Sequence, residues 1–266
     1  MRLAVQHRTH YGYEQAVRSS IQYLRLQPRS STAQQIESWQ LTLPDGHQPP
    51  IIRDGFDNLM QVFVLERPHR EIVIEARGVV ILTDRFNGRL HDSLEPLPFV
   101  RPTPLTLPDE ALTELAWHHL GQRRDLAALC TLQEAILAAM PYRPGVTEVW
   151  YTAREAWRVG SGVCQDHVHV MLGCARLMGL PGRYVSGYLH SDDETHLASH
   201  AWAEIYLDGA WQTFDVTNNL IQPTHHIRLA IGMDYLDACP IRGIRCGGGE
   251  EVMDASVEVQ YAPIDQ

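Results

Sequence analysis

The order of local patterns along the 266 residues predicts an α+β protein, in which a small β-sandwich domain precedes a helix packed on an antiparallel sheet. Three observations carry this expectation. Short strand-like runs at regular spacing fill the first part of the chain, with no helical period among them. Then Pro96, Pro98, Pro102, Pro104 and Pro108 follow closely, and none of them suits a helix interior or a central strand. Beyond them, helix-period apolar runs give way to alternating segments joined by Asp208-Gly209, a favoured hairpin pair. The expected division is a β-rich domain over 1–90, a stiff proline-rich surface linker over 91–108, and a second domain over 109–266.

The first domain opens with Leu3 and Val5 alternating with polar residues, and Ile21, Tyr23, Leu24 and Leu26 lead to a stop at Pro28. Ile36 to Leu43 runs into the turn tripeptide Pro44-Asp45-Gly46, and further strands are expected around Leu59 to Leu65, Ile72 to Ile74 and Val79 to Leu82. His7, His10, His47 and His69 are scattered through this part and read as surface or turn histidines.

In the second domain, Asp109-Glu110 bring negative charge to the start of a helix ending near Leu120. Leu126, Leu129, Leu132, Ile136, Leu137 and Met140 give a second helix, closed by Pro141 and carrying Cys130 as an inert thiol. Thr152 suits the cap of a short helix from Ala153 to Val159. A buried helix follows from Cys164 through Met178, with Gly179 just past its end. Strands are then expected at Arg183 to Leu189, His200 to Leu207 and Trp211 to Val216, with a polar loop at 191–195. The tail reads as a flexible Gly247-Gly248-Gly249 turn and one alternating strand from Val252 to Val259.

A formal charge of −10 and an apolar fraction of 44% suit a soluble globular chain and argue against nucleic acid or an anionic membrane as partner. The first residues lack a signal-peptide core, and no apolar run nears the roughly 20 residues of a membrane helix. Five cysteines (130, 164, 174, 239 and 246) without a CxxC pair suggest reduced thiols in the cytoplasm, with neither a disulfide framework nor a structural zinc site.

Chemistry is expected at Gly162-Val163-Cys164-Gln165-Asp166-His167. A thiol at a helix N-terminus meets unpaired N–H groups and the positive end of the dipole, and both favour the reactive thiolate. In a plain hairpin turning at Asp208-Gly209, His200 near one strand's start lies beside Asp215 near the other's end, and both can face the Cys164 helix. Cysteine, histidine and aspartate in that order supply a nucleophile, a base and a group that orients the base.

Blander readings compete at neighbouring positions. Cys174, mid-helix, reads as a small core hydrophobe. His167 and His169 point to different sides of their helix, and no HExxH or HxE…PCxxC pattern occurs, so no metal is expected. Asp166 would offset the helix dipole or accept a local hydrogen bond. His225-His226, after a proline, reads as a solvated loop pair. Trp202 and Trp211 are either hairpin core or walls of a groove around the thiolate, and Asn218-Asn219 suit a turn or fix the loop after Asp215.

Together, Gly162-Val163-Cys164-Gln165-Asp166, Ser199-His200-Ala201-Trp202-Ala203-Glu204 and Phe214-Asp215-Val216-Thr217-Asn218-Asn219 resemble the bacterial transglutaminase-like superfamily, a group described as cysteine-protease-like. The β-rich first domain, and the ending from Pro240 through Glu250, look like parts that accompany this branch. The resemblance implies a papain-like, transglutaminase-like catalytic domain at 109–266 with no cofactor. It implies Cys164 as nucleophile, His200 as base and then acid, and Asp215 as orienting carboxylate. Members are variously peptidases, amidases or acyl transferases. The expected activity is hydrolysis of a peptide or isopeptide amide through a thioester, on a peptide or protein substrate. The Cys164 backbone N–H and Tyr142 are the candidate oxyanion donors. Acyl transfer to an amine, or a binding module without turnover, are the alternatives.

Overall fold

The computed structural model describes residues 1–83, 89–90, 92–190, 199–222 and 225–263. The polar loop expected at 191–195 lies outside them. Strands β1 (Arg2–Gln27), β2 (Gln34–Thr42), β3 (Ile52–Arg53), β4 (Leu59–Leu65), β5 (His69–Leu82) and β6 (Arg89–Leu90) come first. Helices α1 (Glu110–Leu120), α2 (Leu126–Ala139), α3 (Ala153–Val159) and α4 (Cys164–Leu177) follow. Then come β7 (Gly182–Leu189), β8 (Ser199–Leu207), β9 (Ala210–Asp215), β10 (Leu220–Ile221), β11 (His226–Gly232), α5 (Tyr235–Ala238), β12 (Ile241–Gly247) and β13 (Glu251–Tyr261). Among the described residues, no helix is long and apolar enough to cross a membrane.

The β-rich first part is one bent, seven-stranded antiparallel sheet built on β1. One side of β1 pairs with β5 along its first half and β4 along its second. The other side pairs with β13 and then β12 in the same way. All of these turn a corner where the register shifts, near Glu14, Gln15 and Ala16. The inward face of β1 is odd-numbered before the corner (Leu3, Val5, Tyr11, Tyr13) and even-numbered after it (Leu24, Leu26). Extra residues in a strand invert its alternation in this way. Opposite the corner, Gly247, Gly248 and Gly249 all have positive φ, at 86°, 102° and 66°, so the β12–β13 path bends where side chains would be strained. The two halves of the sheet share one apolar core, as the layers of a sandwich do.

The second sheet is antiparallel, in the order β10-β9-β8-β7-β11, with β6 added to β9. Asp208 (φ 51°) and Gly209 (φ 81°) make the tight β8–β9 turn. Helix α4 lies against this sheet, and α1, α2 and α3 pack around it, forming a second core with Leu112, Leu129, Ile136, Met171 and Ile205. The helix caps follow the sequence. Asp109 and Asp125 accept N–H groups of the first turns of α1 and α2, and Thr152 with Glu155 forms a capping box on α3.

Three expectations are corrected. The C-terminal strands β12 and β13 belong to the first sheet, so the architectural unit around β1 draws on both ends of the chain and not on 1–90 alone. The proline-rich stretch, largely exposed, is anchored at three points rather than lying wholly on the surface, since Phe99, Leu105 and Thr106 are buried. Buried Arg176 of α4 donates to the Phe99 and Gly182 carbonyls, each at 3.1 Å, and to Thr106 Oγ1 at 2.9 Å, satisfying that backbone inside the core. His7 and His69 are buried rather than on the surface, with His7 Nδ1 lying 2.8 Å from the Tyr188 hydroxyl and so tying β1 to β7. Burial pushes the His7 imidazole down to about 4, so it is held neutral.

Candidate active site

The entry to α4 is shaped by one carboxylate. Asp166 Oδ2 accepts the Val163 backbone N–H at 2.8 Å and the Thr147 hydroxyl at 2.7 Å, which pins the preceding loop to the first turn. A Cβ on Gly162 would lie 2.6 Å from that same oxygen, so the close approach requires glycine. Cys164 is therefore fixed as the first residue of the helix, half-buried, at the end whose N–H groups have no intrahelical partner. Tyr142 lies on the neighbouring segment, which bridges to Gly162.

His200 is the second residue of β8 and Asp215 the last of β9. The tight hairpin brings them together: His200 Nε2 is 2.8 Å from Asp215 Oδ2, with both side chains almost wholly buried. Helix α4, which begins at Cys164, packs against β8, which carries His200, and Cys164 is near enough to act on that imidazole. With Nε2 turned to the carboxylate, Nδ1 is the ring nitrogen left for another partner. Burial works against a His200 cation, but the charge and hydrogen bond of Asp215, together with Cys164, outweigh it and raise the imidazole. Burial likewise opposes the Asp215 anion, yet the two histidines around it hold the carboxyl well below its usual range. Of the expected residues, His200 and Asp215 are thus in contact, Cys164 begins the helix packed against their sheet, and Tyr142 lies on the segment that bridges to Gly162.

Two further residues meet the Asp215 carboxylate, Asn218, read from the sequence as a turn residue or as fixing the loop after Asp215, and His226. Asn218 donates its side-chain amide to Asp215 Oδ2 at 2.8 Å and its backbone N–H to Oδ1 at 3.2 Å, beyond supplying a turn. His226, expected in a solvated loop, begins β11 with its side chain buried and Nε2 2.8 Å from the same Oδ2. The alternation Ile227, Leu229, Ile231 marked a strand there, but nothing in the sequence set β11 beside β7.

Nearby histidines have structural duties. His167 lies between the Met140 carbonyl (Nε2, 2.7 Å) and the Thr217 hydroxyl (Nδ1, 2.9 Å), locking α4 to the turn that carries Asn218. His169 Nε2 accepts the Tyr235 N–H at 3.3 Å, and burial lowers that ring to about 3. Trp202 and Trp211 are core residues, the first edge-on to His226 and the second under the Arg183 guanidinium. Among the described residues, only His200, Asp215 and His226 bring three ligand-type atoms within 4.8 Å of one another. Both imidazole N–H groups are spent on the carboxylate, so the trio is read as a hydrogen-bonded array and no metal is assigned to it.

Comparison with known proteins gives the chain a family and a fold. Residues 3–81 match the bacterial transglutaminase-like N-terminal region, and 118–216 match the transglutaminase-like superfamily. An uncharacterised protein of Mycobacterium leprae is 30% identical over 275 residues, spanning 97% of this chain and 98% of that one. An uncharacterised protein of Mycobacterium tuberculosis is 30% identical over 289 residues, spanning 97% and 92%. The solved structure of a candidate cysteine protease from Cytophaga hutchinsonii covers 100% of this chain and 92% of its own, with a TM-score of 0.81 at 18% identity, a likeness of fold.

Proposed function

Since the chain belongs to the transglutaminase-like superfamily, a family of cysteine-dependent enzymes, we propose that it hydrolyses amide bonds of a peptide or isopeptide through a Cys164 thioester, with His200 and Asp215 completing the triad. The observation that carries this is the buried 2.8 Å contact of Asp215 with His200, on a hairpin packed against the helix whose first residue is Cys164. His200 Nδ1 takes the thiol proton, and the sulfur attacks the amide carbonyl carbon. As the tetrahedral intermediate collapses, the C–N bond breaks and His200 returns the proton to the leaving amine. Water then attacks the thioester with His200 as base, releasing the carboxylic acid and restoring the thiol.

The Cys164 backbone N–H serves as one oxyanion donor and the Tyr142 hydroxyl as the other. Burial, and then the charge of Cys164, push the Tyr142 phenol up, which keeps it a donor. The compartment that suits this chemistry is the reducing cytoplasm, and the five cysteines are all free. In a Cys164→Ala protein with an unchanged melting curve, labelling by low iodoacetamide is expected to vanish. Labelling of Cys130 or Cys174 as fast as Cys164 in the native protein would contradict an activated thiol. Adding a primary amine to reactions on short peptides separates hydrolysis from transamidation, since only the latter incorporates the amine.

A further inference from the structure

Asp215 is held by more than its partner in the triad. Oδ2 of this carboxylate accepts from His226 Nε2 at 2.8 Å, the same distance as from His200 Nε2. We propose that His226 is a positioning residue: by donating a second imidazole N–H to Asp215, it limits how tightly that carboxylate holds the His200 cation, and so leaves His200 free to release its proton to the leaving amine. The inference rests on the acyl-transfer reading above.

The ring of His226 is fixed from several sides. Its backbone pairs with Leu189 of β7, and its side chain is 4% exposed. Trp202 packs edge-on to it at 4.9 Å, and the His200 ring lies 5.7 Å away. A ring clamped in this way keeps Nε2 on the carboxylate. With the proton on Nε2, Nδ1 carries the lone pair, and that atom is buried with no hydrogen-bond partner among the described residues.

The titratable and charged groups around His226 are Asp215 on β9, His200 and Glu204 on β8, and His225 and Arg228 beside it on its own segment. Burial disfavours a second cation here, and His200 and His225 add to it, outweighing the pull of Asp215, so His226 stays neutral. A neutral donor shares the carboxylate's charge without adding one. Each donor on a carboxylate stabilises its ionised form, and to that extent lowers what remains for any other donor. A proton donor works best when its own affinity for the proton is matched to the working pH. The two demands meet on Oδ2, which must hold the imidazolium in line without trapping it.

The test is the pH profile of Cys164 alkylation by iodoacetamide, scored by mass spectrometry at the Cys164 peptide. The wild-type rate should rise in two steps, first as the thiolate–imidazolium pair forms and again, at higher pH, as His200 loses its proton. In His226→Leu, the upper step should move to higher pH by roughly one unit. His226→Asn, whose shorter amide cannot reach Asp215, should do the same and stands in if the leucine variant does not fold. In His226→Gln, whose amide nitrogen can occupy the Nε2 position, the wild-type step should return. An upper step that stays put or moves down in a folded leucine or asparagine variant overturns the inference, as does a folded glutamine variant that fails to restore it. A wild-type profile with one step alone removes the thiol–imidazole pair itself, so the acyl-transfer reading and this inference fall together. The wild-type curve thus tells the two failures apart.

Discussion

Replacing Asp215 by asparagine would swap a carboxylate oxygen for an amide N–H at the point where His200, His226 and the Asn218 amide all donate. Donor would meet donor, and His200 would have to turn its lone pair to Nε2 and its proton to Nδ1. That nitrogen could then no longer accept the thiol proton. Peptide turnover in Asp215→Asn should therefore fall by roughly 10²–10⁴. An unchanged rate would remove Asp215 from the machinery. The same variant reads the pair's share of stability. His200 is raised in the folded state, so its contribution is fully present below the ordinary imidazole pKa of about 6.5 and is lost as pH rises through its raised value. Wild type should melt above Asp215→Asn at neutral pH, with the gap narrowing toward the alkaline end. A gap that widens there would reverse the sign assigned to the pair.

The elements most exactly legible in the sequence were those with local signals at their ends. Asp109 and Thr152 announced α1 and α3, an apolar period closed by Pro141 announced α2, and the α4 start and the Asp208-Gly209 turn were equally plain. From the turn position alone, the pairing of His200 with Asp215 followed. What sequence could not give was any contact that depends on elements distant in the chain. β1 reads as two strands because its alternation changes phase at the corner, although the backbone runs on through it. The proline-rich stretch looks like a surface linker until Arg176 is seen to satisfy it from within. His226 looks solvated because the strand it begins is placed by β7, which comes much earlier.

At the same scale, Gly162 is the element junction most open to test. In Gly162→Ala the new methyl displaces the Asp166 carboxylate, and Val163 and Thr147 lose their acceptor. Stability should drop by about 1–3 kcal/mol in chemical denaturation, and Cys164 alkylation should slow at least about tenfold. Native stability with native alkylation would show that the junction tolerates a side chain.

Across the whole molecule, the two sheets are joined by burial and not merely by sequence. Tyr188, Ile227 and Leu229 of the second sheet pack into the core of the first, and His7 meets Tyr188. The site's strands β8 and β11 flank β7, so the first sheet braces the layer that carries His200 and His226. Removing residues 248–266 would strip β13 from the Leu3–Tyr13 edge of β1. The truncated protein should lose a single cooperative melting transition and the fast alkylation of Cys164 together. A truncated form that melts cooperatively and labels normally would make the two sheets independent units.

The closing of β1 by β13 also fixes an order of events during synthesis. The first strand made acquires its last neighbour only when residues 251–261 have left the ribosome. Until then a long open edge faces the cell. Helices α1 to α4 and the second sheet, complete in sequence by Gly232, can collapse earlier, so a slow or stalled nascent chain would hold a near-finished catalytic layer beside a sticky, unfinished one. Chaperone demand and inclusion-body formation on overexpression would trace to the amino-terminal edge rather than to the triad.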